Sequence, residues 1–275
     1  MTDVSSYIAS ARSWLFVPGH RPDRFAKAAA CGADVVIIDL EDAVAAEDKT
    51  QARVSAAAWL AEGNAAVLRI NPPGTPWFQS DLTEAGRHGC PVMVPKAEDP
   101  VVLTDIAARV AGRCELIPLI ETAAGVERAW EVCATVGVAR AAFGNVDLAG
   151  QLGVAWDDHA ALAYARSRLV SASAAAGICS PVDGVTTAVK DAGVLRDDIT
   201  HARRLGFTGK LCIHPDQVEA VGRGFAPSQD ELEWARAVVT AGDSVTTVDG
   251  RMVDKPVLER ARRLLGHTHD SHPAA

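Results

Sequence analysis

The 275-residue chain lacks several things, and each absence removes a class of function. It has no basic stripe: Lys and Arg number 27 against 35 Asp and Glu, giving a net charge of −8. A nucleic-acid surface is thereby disfavoured, because phosphate binding needs clustered cations. No run of about 18 apolar residues is present to span a bilayer, and the start, "MTDVSSYIASARSW", lacks the basic and long apolar parts of a signal peptide. The expectation is a cytoplasmic protein, neither in a membrane nor on nucleic acid. The six cysteines form no CxxC pair and sit far apart, mostly in apolar segments, as reduced core cysteines do. Neither GxGxxG nor GxxxxGK[ST] occurs; "FVPGHRPDRF" has one Gly and two Pro where a nucleotide fingerprint needs three Gly. The tail "HTHDSHPAA" carries three histidines and reads as a frayed terminus rather than a metal site.

What is present is a regular alternation. Short apolar, β-branched runs occur at 14–17, 34–40, 66–71, 92–96, 115–121, 139–144, 180–185 and 210–215. Ala-rich stretches with helical spacing separate them, such as "AEDKTQARVSAAAWLAEG" and "ALAYARSRLVSASAAAG", several ending in the Gly that stops a helix. Eight such units point to an α/β fold of the TIM type, a (β/α)8 barrel over residues 1–225; an open doubly wound sheet is the alternative. Residues 226–275 add a helix-like segment, a hairpin signalled by Asp249-Gly250 between β-branched runs, and a further helix. An isolated hairpin is barely stable in water, so this helix-hairpin-helix extension is a candidate lid that packs on its own barrel or on a neighbouring subunit.

In such a barrel chemistry sits at the carboxyl ends of the strands. "DVVIIDLEDAV" there runs from four apolar residues into Asp39, Glu41 and Asp42, with nothing basic beside them in sequence. Glu121 and Asp147 close successive strands, which lie about 4.8 Å apart, so the two carboxylates can share one hard cation such as Mg²⁺. The three acids after the second strand would then hold the metal's waters. A metal-free general acid and base pair is the alternative. Arg69, in "LRIN", calls for a bidentate anion or for an ion pair with the nearby acids. Lys96 invites a Schiff-base reading, against which so many carboxylates would keep it protonated. His214 is a base or a histidine bonded to backbone.

"WLFVPGHRPDRFAKAAACGADVVIIDLEDAV", "VLRIN", "VPKAE", "LIETAAGV", "FGNVDLAGQLG", "PVDGVTT", "GFTGKLCIHPDQV" and "DGRMVDKP" together resemble the HpcH/HpaI aldolase and citrate lyase β-subunit superfamily, in its free-standing CoA-ester-lyase branch. The resemblance implies a homo-oligomeric barrel, trimeric or hexameric. It implies a Mg²⁺-dependent lyase that cleaves or forms the bond between an acyl thioester and a 2-oxo acid, on a short β-hydroxyacyl-CoA such as malyl-CoA or citramalyl-CoA. By position it puts the metal on Glu121 and Asp147 and substrate or enolate oxygens on Arg69; Lys96 and His214, at the strand ends, are further candidate substrate contacts. The acids Asp39, Glu41 and Asp42 support the site, and Asp254 is the lid aspartate, reaching from an adjacent subunit as acid or base. Arg21, Arg24 and Lys27 are candidates for the CoA phosphates, or else a solvated helix face. Two departures stand out: Ala124 replaces a basic residue of the ETAxG motif, and Gln151 stands where many relatives have Asp. Thioester hydrolysis, a malate-synthase-like condensation, and a citrate lyase β subunit acting on a citryl-acyl carrier protein are the rival activities. A non-catalytic relative would show broken ligands, and Arg69, Glu121 and Asp147 are intact.

Overall fold

The computed structural model describes residues 4–110, 112–241, 246–248 and 251–269. Eight parallel strands close into a barrel in chain order: β1 (Ser13–Pro18), β2 (Val35–Asp39), β3 (Val67–Arg69), β4 (Val92–Val94), β5 (Leu116–Ile120), β6 (Arg140–Phe143), β7 (Cys179–Asp183) and β8 (Gly209–Cys212). Each falls within or beside one of the eight apolar runs. The physical reason is clearest in β2, where Val35 and Ile37 point into the barrel and Val36 and Ile38 point out to the helices, so every residue is buried. A strand covered on both faces needs no polar alternation.

The helices are α1 (Val4–Ser10), α2 (Phe25–Ala30), α3 (Lys49–Ala61), α4 (Phe78–His88), α5 (Pro100–Arg109), α6 (Ala123–Glu127), α7 (Ala129–Cys133), α8 (Asn145–Leu152), α9 (Ala163–Ala176), α10 (Ala192–Leu205) and α11 (Pro215–Phe225). The helical region between β5 and β6 is two short helices rather than one, meeting at Arg128, whose φ of −97° and ψ of 17° leave the helical region. Helix α2 is preceded by a 3₁₀ turn, Pro22–Arg24, that begins at a proline with no N–H to give.

Inside the barrel, Trp14, Val35, Ile37, Val67, Met93, Ile117, Leu119, Ala142, Val182 and Leu211 form one cluster with Ile8 and Ala11. Ile8 belongs to α1, which closes the amino-terminal end of the barrel and has no counterpart in the periodicity of the sequence. Arg140 anchors it. This fully buried side chain donates through Nη1 to Ile8 O at 2.9 Å and Ala11 O at 2.7 Å, through Nε to Ser180 O at 2.8 Å, and through Nη2 to Thr208 Oγ1 at 2.8 Å. All six cysteines are free thiols, four of them buried.

The chain divides into two compact units, 1–225 and 226–275. In the second, α12 (Gln229–Ala241) and α13 (Lys255–His269) share a small core of Ala235, Val238, Val253, Leu258 and Ala261. The antiparallel strands β9 (Thr246–Val248) and β10 (Arg251–Val253) form the expected hairpin, pairing Val248 with Arg251; the turn residues Asp249 and Gly250 lie outside the described residues, as does the tail from 270. Among the described residues no helix is long and apolar enough to cross a membrane.

Candidate active site

A cavity of about 320 Å³ opens at the carboxyl ends of the strands. Its apolar wall comes from Phe16, Leu119, Phe143, Val185, Leu211 and Ile213, and its charge from Asp39, Asp42, Arg69, Glu121 and Asp147. The barrel thus brings together six strands' worth of residues that are far apart in sequence, and it includes both carboxylates expected to share a cation.

The acidic cluster is not short of basic neighbours in space, contrary to the look of "DVVIIDLEDAV" alone. Asp39 and Arg69 are partners in the β2–β3 register, and the guanidinium grips the carboxylate with Nε–Oδ1 at 2.7 Å and Nη2–Oδ2 at 2.6 Å. Asp39 also accepts the backbone N–H groups of Glu41 and Ala43, which shapes the loop after β2. Nη1 of Arg69 stands 2.9 Å from Glu41 Oε2 as an ion pair, without the alignment of a hydrogen bond. The other Glu41 oxygen accepts from Lys96 Nζ at 2.8 Å. Of the two readings of Arg69, the ion pair with nearby acids is the one made here; the residue still borders the cavity.

Charge and burial set the protonation. Burial works against the Arg69 cation, but Asp39, Glu41 and Glu121 outweigh it and hold its pKa above the ordinary arginine value. Burial likewise opposes the Lys96 ammonium, and Glu41, Glu121 and Asp42 raise its pKa in spite of it. A lysine held protonated in this way is no Schiff-base nucleophile. Burial raises the Glu41 carboxyl even though Arg69 and Lys96 pull it down. Glu121 is the most perturbed of the acids: burial first, then Glu41 and Asp147, push it up to about 8 against the pull of the Lys96 N–H and ammonium.

Glu121 is held tightly. Its Oε1 accepts the Lys96 backbone N–H at 2.8 Å, and it lies flat on Gly144, where an added Cβ would stand 2.4 Å from Glu121 Cβ and 2.6 Å from Oε2. Gly144 therefore has no side chain because the glutamate occupies that space. It precedes α8, whose first turn carries Asp147, exposed and facing the same cavity. Gln151, one turn further along α8, accepts the N–H of Ala123 at 2.7 Å and so ties this helix to the exit of β5 two residues past Glu121. Asn145 is buried between the strands; its amide accepts Val185 N–H and donates to Val185 O and Trp156 O, fixing the wall after β7. Neither Asn145 nor Gly144 was singled out by reading strand-end charges, although both sit in the quoted "FGNVDLAG".

Other expected site residues lie elsewhere. His214 does not line the cavity: its Nδ1 accepts the N–H of Asp216 at the start of α11, the backbone-bonded alternative. Arg24 and Lys27 are exposed and Arg21 half-buried, all three outside the cavity lining, and Arg21 is bidentate on Asp23. Asp254 belongs to the second unit, where its Oδ1 accepts Val257 N–H at the head of α13. Among the described residues no three His, Cys, Asp or Glu side chains converge on one metal position; Glu121 and Asp147, the two carboxylates expected to share a cation, both line the cavity.

Comparison with known proteins gives the chain's relatives. A family model described as HpcH/HpaI aldolase/citrate lyase matches residues 12–215. A citrate lyase subunit beta-like protein of Mycobacterium tuberculosis is 37% identical over 267 residues, covering 94% of this chain and 95% of the relative. A (3S)-malyl-CoA thioesterase of Cereibacter sphaeroides is 34% identical, covering 92% of this chain and 93% of its own. Among solved structures, the M. tuberculosis CitE protein in complex with magnesium, acetoacetate and coenzyme A is similar with a TM-score of 0.81 at 34% identity, over 95% of this chain and 99% of that one. A citrate lyase beta subunit of the same organism, complexed with oxaloacetate and magnesium, is similar with a TM-score of 0.71 at 34% identity, over 81% of this chain and all of its own.

Proposed function

Because the chain belongs to the HpcH/HpaI aldolase/citrate lyase family, we propose that its barrel mouth is a magnesium-dependent carbon–carbon lyase site, cleaving or condensing a short β-hydroxyacyl-CoA such as malyl-CoA or citramalyl-CoA into acyl-CoA and a 2-oxo acid. The observation that carries this reading is the charge of one cavity. Asp39, Asp42, Glu121 and Asp147 line it with a single guanidinium, and Arg69 is already paired with Asp39 and Glu41. An anionic substrate meets repulsion there unless a cation stands between.

The residues fit magnesium. The donors are all hard oxygens, and Glu121 is a buried carboxylate whose charge its protein neighbours leave so poorly compensated that its pKa rises to about 8. Glu121 and Asp147 would hold the ion, with Asp39, Glu41 and Asp42 orienting its surroundings. Bound there, magnesium lowers the pKa of a substrate hydroxyl and polarises the carbonyl that replaces it.

The chain's own residues supply the rest. Arg69 gives Nε–H and an Nη2–H to Asp39 and pairs through Nη1 with Glu41, but it lines the cavity, and its positive charge steadies the thioester enolate as it leaves. A carboxylate moves the proton: Asp42 already stands at the cavity, and Asp254 is the lid acid of a neighbouring copy in a homotrimer or hexamer. The apolar wall of Phe16, Leu119, Phe143 and Leu211 excludes water from the departing enolate. Arg24 and Lys27, exposed on the first βα segment, take the CoA phosphates, since Arg21 is committed to Asp23.

Thioester hydrolysis is the second reading, favoured by the thioesterase relative. The experiment is incubation with malyl-CoA, citramalyl-CoA and citryl-CoA, with Mg²⁺ and with EDTA, followed by mass spectrometry. EDTA-sensitive release of a 2-oxo acid together with acyl-CoA is expected. Free CoA without acyl-CoA would establish the thioesterase. Silence with every ester would overturn the free-standing lyase in favour of a subunit served by an acyl carrier protein.

A further inference from the structure

Lys96 is the only non-glycine described residue with a positive φ, 50°. It follows Pro95 in the turn that leaves β4, a place where Gly or Asn is the usual residue because their left-handed conformations cost least. The chain keeps a lysine there, and both ends of it are engaged. Its backbone N–H donates to Glu121 Oε1 at 2.8 Å, and its Nζ donates to Glu41 Oε1 at 2.8 Å while standing 4.0 Å from Glu121 Oε1. One residue later the chain rejoins β5, Ala97 N–H donating to Leu119 O. Glycine would satisfy the backbone without strain but could not hold Glu41, and an extended lysine could hold Glu41 but would turn its N–H elsewhere. The two contacts together require this residue type in this conformation.

We infer that Lys96 is a positioning residue rather than a substrate contact: its left-handed backbone aims an N–H at Glu121 and its ammonium fixes Glu41, so that one strained turn orients both carboxylates. The inference rests on the reading of Glu121 and Asp147 as the magnesium pair. It accounts for a fact that charge alone does not: Glu121 is oriented from two sides, by the Lys96 N–H above and by Gly144 beneath, and its free oxygen is left for a ligand.

The test separates the backbone from the ammonium. Lys96→Gly, Lys96→Asn, Lys96→Ala and Lys96→Val all remove the same charge but differ in how readily they take a positive φ, in falling order. Mg²⁺ is titrated calorimetrically into each full-length variant, with a thermal melt alongside. The affinities should follow that order, Val weaker than Gly by about tenfold or more, because Val swings the N–H off Glu121. If Val fails to fold, Gly against Ala carries the same comparison, with about a threefold difference expected. A merely structural role would order the melting temperatures and leave the four affinities equal, and that result overturns the inference while leaving the lyase reading intact. A wild-type protein that binds no Mg²⁺ at millimolar concentration would remove both.

Discussion

Each end of the barrel holds an arginine, half-buried at the mouth and fully buried at the floor, and the two arginines live differently. At the mouth, Arg69 meets carboxylates: Asp39 by two hydrogen bonds and Glu41 by an ion pair, beside open volume. At the floor, Arg140 meets neutral oxygens, the carbonyls of Ile8, Ala11 and Ser180 and the hydroxyl of Thr208, with Trp14 beneath its plane at 5.5 Å. The acids hold the pKa of Arg69 above the ordinary value, whereas burial pulls that of Arg140 down to about 10. Both ends need a glycine for close approach: Gly144 under Glu121, and Gly209, where a Cβ would stand 2.8 Å from Arg12 O and 3.2 Å from Arg140 Nη2. At the floor each nitrogen of Arg140 finds an oxygen of the chain, as a structural plug requires. The mouth collects more negative charge than it can satisfy, which is the signature of a site awaiting something else.

Substitutions should therefore dissociate activity from stability, end by end. The largest effect belongs to Glu121→Gln. Losing half of the ligand pair should cut kcat by about a thousandfold or more, while the melting temperature stays level or rises, because a buried, poorly compensated acid has been removed. A melt that falls steeply with Glu121→Gln would mean that the mouth is structural and would dissolve the contrast. Arg140→Met is the converse. It strands the carbonyls that close α1 onto the barrel and should cost about 3 kcal/mol of unfolding free energy in denaturant titration. The kcat of the molecules that remain folded should be unchanged within about twofold, since the floor touches no substrate.

How much of this contrast was legible without the structure depends on where the partners come from. The eight strands were readable because short β-branched runs buried on two faces have no polar alternation to confuse them, and the strand-end acids stood out for the same reason. The basic side of the cluster was not readable: Asp39 meets Arg69 only because β2 and β3 pair in that register, and Lys96 reaches Glu41 from a different turn again. Attention to residues that close strands also passed over Arg140, which opens one. Helix α1, seven residues long with neither acid in its first turn nor base in its last, left no periodic trace. The left-handed turn at Lys96 had one available signal, the preceding Pro95, which is the usual neighbour of a positive-φ position.

The smallest predicted effect sharpens the contrast without a large perturbation of either end. In the metal-free protein Glu121 titrates near 8, against an ordinary value of 4.5 when unfolded, so the fold favours its protonated form. That contribution to stability is complete below the unfolded value and is lost as pH rises through about 8. In EDTA the wild-type melting temperature should accordingly fall by a few degrees between about pH 5 and about pH 8, with little further loss from this group above that, and Glu121→Gln should flatten part of that slope. Magnesium should reverse the trend, because a cation and a proton compete for the same oxygens and a ligand bound only to the fold stabilises it by mass action. The floor supplies the internal control. Arg140 is charged throughout this range, so Arg140→Met should lower the whole melting curve and leave its pH slope unaltered. A wild-type slope identical to that of Glu121→Gln would place the unsatisfied charge somewhere other than Glu121, and the mouth would lose the feature that distinguishes it from the floor.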